Sequence, residues 1–300
     1  MNKPDFFIVG APKCGTTSLH SYLNQHPEIF MTPNKDINFF NGDIVGDRRD
    51  RCRWTVAEYL DQFAGANGHK RIGDAQVHCL ASPLAPQEIK ALNPAAQIII
   101  MLRNPVDMMY ALHSENVWCT IDDITNFAEA LRADEESDPQ SKRQGLTRPW
   151  LSYRDTARFA RQVRRYFDVF GREKVHVIIY DDFSKGTPAS YRKTLQFLDV
   201  RDDFQPEFEV VNSSHRPKSM RLQHFITHPP KVLHKIGTSR IRRFVSQSVL
   251  VPLNTLYERR QPMDPNLRGR LLKEFEPEVE ELSTLLGRDL SSWCKSPNAQ

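Results

Sequence analysis

Within its first 23 residues the chain runs an apolar stretch, a glycine turn and an amphipathic segment together, "DFFIVGAPKCGTTSLHSYL" over 5–23, and no other feature limits its fold so sharply. Five residues without a polar interruption after Asp5 suit a strand covered on both faces, as in a parallel sheet. Leu19, Tyr22 and Leu23 then share one face of a helix. Two further runs, "QIIIML" at 97–102 and "KVHVIIY" at 174–180, have the same strand character. Helical stripes follow them, through Phe159, Val163, Tyr166, Phe167 and Phe170 and through Leu267, Leu271, Phe275, Val279, Leu282 and Leu286. Strands separated by helices require crossover connections, so the expectation is a three-layer, P-loop-like α/β fold with a central parallel sheet flanked by helices.

The turn itself resembles a nucleotide loop with one part displaced. A triphosphate loop reads G-x-x-x-x-G-K-[ST]. Here Gly10 and Gly15 keep the spacing, Thr16 stands where the lysine belongs, and the lysine lies inside the loop at Lys13. Converging backbone N–H groups and a helix N-terminus still make this an anion site. Pro12 stiffens the turn, Cys14 lies within it, and Thr16, Thr17 and Ser18 place three hydroxyls on the first helical turn. A magnesium-dependent NTPase would also call for an acidic strand end, yet Arg103 follows "QIIIML". "VIIYDD" at 177–182 could pass for such a strand, but without the usual lysine a P-loop kinase or NTPase is the runner-up.

Composition narrows the setting. The net charge of +4 permits an anionic ligand without arguing for nucleic acid. Five scattered cysteines, with no C-x-x-C pair, suit reduced thiols rather than a disulfide framework or zinc site. No apolar run reaches a membrane-spanning length of about 18 residues, and the first residues enter the strand at once, so the expectation is a soluble, cytoplasmic protein. The chain reads as one domain over 1–300, with 216–262 as a basic insertion or acceptor-side subdomain. Residues 216–243 carry eight Lys/Arg and no acid, and 244–257 add an apolar patch. Contact with an anionic membrane, a carrier or a polysaccharide is compatible with that stretch. The polar run from Glu135 to Gly145 reads as a loop.

"FFIVGAPKCGTTSLHSYLNQHPEIF" resembles the 5′-phosphosulfate loop of the sulfotransferases that use 3′-phosphoadenosine 5′-phosphosulfate (PAPS), nearest the bacterial and heparan-type branch. "NKDINFF", "IIIMLRNPVDMMYALH", "YFDVFGREKVHVIIYDDF" and "LLGRDLSSW" match later landmarks of that family. The resemblance implies transfer of a sulfuryl group to a hydroxyl acceptor by in-line displacement, leaving 3′-phosphoadenosine 5′-phosphate (PAP) and requiring no metal. It implies a cofactor site of Pro12, Lys13, Cys14, Gly15, Thr16, Thr17, Ser18 and Arg103, with Lys13 also catalytic between the leaving phosphate and the moving group. The family's serine eight residues beyond the arginine is Ala111 here, so Ser114 is its stand-in; Arg216, then Lys218 and Arg221, would close over the 3′-phosphate and adenine. For the general base, the family's "KEPHFF" carries a glutamate and a histidine where this chain has Asp36 and Asn38. His78, in "IGDAQVHCL", competes with Asp36 for the role; Lys35 could assist by charge, and His113 reads as structural. The departures at Ala111, Asn38 and 76–79 leave a PAPS-binding protein with impaired catalysis as a further alternative. The acceptor could be a small molecule, a lipid or a carbohydrate.

Overall fold

In the computed structural model the described residues are 2–45, 54–136, 152–209, 215–227, 251–257 and 261–295. Five parallel strands form the central sheet in the order β2-β3-β1-β4-β5: β1 Phe6–Gly10, β2 Ile29–Met31, β3 Arg71–Ala75, β4 Gln97–Leu102 and β5 Val175–Ile179. The register pairs Phe7 with both Asp74 and Ile98, and Met101 with Ile178. Every residue of β1 and all but the first of β4 are buried. Such strands need cover on both faces, which explains their unbroken apolar composition.

Among the described residues the helices of six residues or more, in chain order, are α1 Thr16–Leu23, α2 Val56–Asp61, α3 Ala85–Leu92, α4 Pro105–Trp118, α5 Phe127–Glu136, α6 Phe159–Phe170, α7 Tyr180–Lys185, α8 Thr187–Phe197, α9 Met220–Thr227 and α10 Pro265–Leu286. Helix α6 packs against α3 and α10. It buries Phe159, Val163, Tyr166 and Phe170, the stripe that its spacing dictates. Helices α1, α7 and α8 form a second group: Tyr22 stacks on Phe183, and the Tyr191 hydroxyl donates to the Tyr22 carbonyl at 3.3 Å. The central strands, covered by helices, bear out the three-layer α/β expectation.

Two differences from the sequence reading have plain causes, and part of the basic stretch lies outside the described residues. Strands β2 and β3 carry no long apolar run; β2 has three residues, and β3 includes Arg71, ion-paired with Asp5, and Asp74, which accepts from the Tyr59 hydroxyl. Helix α5 continues through Glu135 and Glu136, where a loop was expected, because Phe127, Ala130 and Leu131 bury one face; 137–151 lie outside the described residues. Of the basic stretch, β6 (His215–Pro217), antiparallel to β7 (Thr255–Tyr257), and α9 are described, while 228–250 are not. Strand β6 lies against α4, and Gln223 of α9 donates to the carbonyl of Trp118 at the end of α4 at 2.8 Å. Among the described residues no helix is long and apolar enough to cross a membrane.

Candidate active site

At the carboxyl edge of the sheet β1 runs into the glycine turn, which is tied to its neighbours by backbone bonds. Ala11 N–H donates to the Met101 carbonyl at 2.7 Å and Leu80 N–H to the Val9 carbonyl at 2.7 Å. A Cβ on Gly10 would lie 2.6 Å from Leu80 Cβ and 2.7 Å from the Val77 carbonyl oxygen, so only glycine lets these segments meet. Gly15 caps α1 in a left-handed conformation (φ 93°), and no side chain among the described residues caps that helix. Its first turn also carries no acid, whereas Asn104 caps α4 and Asp264 caps α10 with side-chain oxygens. The leading N–H groups of α1 therefore stay available to an external anion.

The side chains of the turn divide by burial. Pro12 is buried, and Cys14 is wholly enclosed with its thiol donating to the Pro12 carbonyl at 3.3 Å. Burial pushes the Cys14 thiol up to about 12, against the nearby Arg103 charge, so Cys14 brings a neutral side chain and a backbone amide to the turn. Thr16 is 3% exposed, while Thr17 and Ser18 are half-buried. Lys13, at φ 59°, reaches across to α4, where its ammonium pairs with Glu115 at 2.9 Å. Glu115 is a site residue that sequence reasoning missed; the "SEN" triplet offers no sign that its carboxylate meets the turn.

Arg103 follows β4 directly and lays its guanidinium over the Tyr180 ring, 4.8 Å from the centroid. The same ring backs the turn, since a Cβ on Gly15 would sit 3.2 Å from it. Tyr180, read from sequence as part of a Walker-like strand, is thus an aromatic post between the glycine turn and Arg103. The two aspartates after it are engaged elsewhere: Asp181 accepts from the Trp293 indole at 2.6 Å, and Asp182 accepts both arms of Arg288 at 2.5 and 2.9 Å. Asn104, next to Arg103, donates to the Trp293 carbonyl at 2.7 Å. Ser114 is half-buried, and its hydroxyl donates to the Tyr110 carbonyl of its own helix at 3.0 Å. Arg216 is placed on β6, opposite Leu256, and Lys218 is exposed, its N–H bonded to the Asn254 carbonyl. Arg221 lies on α9.

The second half of the site is the 32–41 loop facing β3. Asp36 and Asn38 both adopt left-handed backbone, φ 60° and 57°. Asp36 N–H donates to the Ala75 carbonyl at 2.9 Å, and its carboxylate accepts from Val77 N–H and from Lys35, each at 2.8 Å. Asn38 accepts from Asn41. His78 is half-buried, and desolvation lowers its pKa, opposed by Asp36 and reinforced by Lys35. The two candidate bases therefore share one corner rather than separate sites. His20 on α1 borders it too: burial lowers its pKa, and the Lys35 and Asp36 charges both bear on it. His113 is buried and shares a hydrogen bond with the Ile124 carbonyl, a structural placement as expected.

The parallel α/β sheet thus carries an uncapped glycine turn, a loop lysine and a stacked arginine at its carboxyl edge, an arrangement suited to anionic groups. The chain belongs to the sulfotransferase family, whose model matches residues 4–205. A crystal structure of a sulfotransferase from Alicyclobacillus acidocaldarius is similar over 98% of this chain and 100% of that one, at 30% identity and a TM-score of 0.74. Carbohydrate sulfotransferase 15 of Mus musculus is 26% identical over 250 residues, covering 66% of this chain and 44% of that protein. The bifunctional heparan sulfate N-deacetylase/N-sulfotransferase 2 of Bos taurus is 33% identical over 115 residues, 36% of this chain and 12% of that protein. The chain thus spans less than half the length of these two curated relatives.

Proposed function

We propose that this protein transfers a sulfuryl group from PAPS to a hydroxyl acceptor. The observation that carries the reading is the uncapped α1 N-terminus behind Gly15, with Lys13 at its lip and Arg103 braced on Tyr180. These residues fit a donor with two anionic ends. The turn's amides with Thr17 and Ser18 suit a phosphosulfate, and the guanidinium fork suits a 3′-phosphate bidentately. Ser114 on α4, Arg216 on β6, Lys218 just after it and Arg221 on α9 are the residues we assign to the 3′-phosphate by the family resemblance. The bound donor supplies the sulfuryl group. The chain's own work is to hold the leaving phosphate against α1, to meet its developing charge with the Lys13 ammonium, and to take the acceptor's proton.

For the proton, His78 is the favoured base and Asp36 the group that balances its charge. Desolvation favours the neutral imidazole, and the Asp36 carboxylate, held by Val77 N–H and Lys35, bears on it with the opposite effect. The relatives' names make a carbohydrate the first acceptor class to test, ahead of small molecules and lipids, and the setting proposed is cytoplasmic.

Calorimetric titration with PAP in the presence of a chelator tests donor binding; PAP should bind well ahead of AMP. Labelled PAPS with a panel of sugars then tests transfer, and Lys13→Ala should lower the rate by about 10²–10³. Equal affinity for PAP and AMP would remove the reading, and magnesium-dependent nucleotide hydrolysis would replace it with the NTPase alternative.

A further inference from the structure

Behind the Asp36 corner lies a buried polar group that the proposed chemistry does not use. Asp74, at the end of β3, is 0% exposed, and its carboxylate accepts three hydrogen bonds. Tyr59 of α2 donates its hydroxyl at 2.8 Å, Gln76 its amide at 2.6 Å and Ala75 its N–H at 2.8 Å. Gln76, itself 3% exposed, turns its other end outward: its carbonyl oxygen accepts the Phe39 N–H at 2.7 Å. The Phe39 ring stacks on Tyr59 at 4.2 Å with the planes 5° apart. Asp74, Tyr59, Phe39 and Gln76 thus close a circuit, and Phe39 is gripped by both ring and backbone.

We infer that Asp74 and Gln76 are positioning residues that hold the Asp36–Asn38 turn against the end of β3. The inference rests on the proposed reading for its catalytic meaning, because that turn is the acceptor side of the site.

The logic is one of donor and acceptor count. An ionised Asp74 can only accept and a backbone N–H can only donate, so Gln76 has one orientation that serves both. That orientation pins Phe39 N–H one residue after Asn38 and three after Asp36, both in backbone that L-residues rarely adopt. Such a turn persists only where its surroundings over-determine it, and the Gln76 bond adds to the two that tie Asp36 to Ala75 and Val77. Protonating Asp74 gives it a donor, and a Gln76 that rotates to accept it turns an NH₂ group toward the Phe39 N–H. Burial raises the Asp74 carboxyl to about 6, opposed by its hydrogen bonds from Gln76, Tyr59 and Ala75. The titratable groups bearing on it are Tyr59 from α2, Cys79 from the turn after β3 and Asp36 from the facing loop.

Amide hydrogen exchange in the full-length protein, corrected for intrinsic rates, tests this at Phe39. Gln76→Met, of similar length but without the acceptor, should speed exchange at Phe39 roughly three- to tenfold, the range one hydrogen bond commands. Amides of β4 should not change. In the unsubstituted protein Phe39 protection should fall between pH 7.5 and pH 5, and Asp74→Asn should abolish that dependence. Should Asp74→Asn not fold, Gln76→Met carries the test alone. Unchanged Phe39 exchange in Gln76→Met, or a pH dependence that survives Asp74→Asn, overturns the inference. PAP affinity should stay within twofold in Gln76→Met, since the glycine turn is untouched. A failure of the unsubstituted protein to bind PAP would count against the proposed function and leave the Phe39 result standing.

Discussion

Replacing Gly15 with alanine tests how far fold and ligand site depend on one missing methyl group. The residue sits at φ 93°, where an L side chain costs about 1–2 kcal/mol. Its new Cβ would also meet Tyr180 at 3.2 and 3.3 Å and Met101 Cε at 3.3 Å, closer than ordinary packing, and overpacking of that kind adds about 1–3 kcal/mol. Gly68 is the internal control: it has φ 86° and nothing within 4 Å of a built Cβ, so Gly68→Ala isolates the backbone strain. Urea unfolding should therefore show Gly68→Ala losing about 1–2 kcal/mol and Gly15→Ala about 2–5 kcal/mol. Because relief comes by pushing Tyr180, over which Arg103 lies, Gly15→Ala should also weaken PAP binding at least about tenfold, or 1.4 kcal/mol. Gly68→Ala should leave PAP affinity unchanged. If the two variants unfold alike and both bind PAP normally, the aromatic post does not couple the turn to Arg103.

Glu115→Gln should free the Lys13 ammonium and tighten PAP binding by about 1.4- to fivefold, the worth of a partly exposed pair; calorimetry showing the same gain in a Lys13→Ala background would refute that origin. His176 of β5, stacked on Phe197, has its pKa lowered to about 4, chiefly by desolvation. The unfolded chain binds its proton first, so the contribution of His176 is intact above about pH 6.5 and erodes as pH falls toward 4. Asp74, raised to about 6, runs the other way, gaining stability as pH falls from about 6 toward 4. Relative to the unsubstituted protein, unfolding measured across that window should show a steeper acid-side loss in Asp74→Asn and a shallower one in His176→Gln.

What the sequence revealed follows from how each contact is encoded. β1, β4, β5 and α6 were legible because burial on both faces, or on one stripe, imposes a periodicity that any reader can count. Gly10, Lys13, Gly15 and Arg103 were legible because a turn and a strand end place them locally, whatever happens elsewhere. Glu115, Tyr180 and the Asp74–Gln76 pair were not, because their meaning lies in contacts with other segments of the chain. Lys13 and Glu115 are 102 positions apart, and a carboxylate within a helix looks the same whether it meets water or an ammonium. Asp36 and His78, read as rivals, share a corner because β2 and β3 are adjacent, and such short strands leave little trace in hydropathy.

The bracing of Arg103 draws on a distant part of the sequence. Asn104 and Asp181, on either side of its seat, are both held by Trp293, while Arg288 grips Asp182. The glycine turn is placed by β1 and α1 near the start of the sequence, whereas the seat of Arg103 waits for residues almost two hundred positions later. The seat of Arg103 is therefore complete only once the segment that carries Arg288 and Trp293 has folded back against the sheet edge.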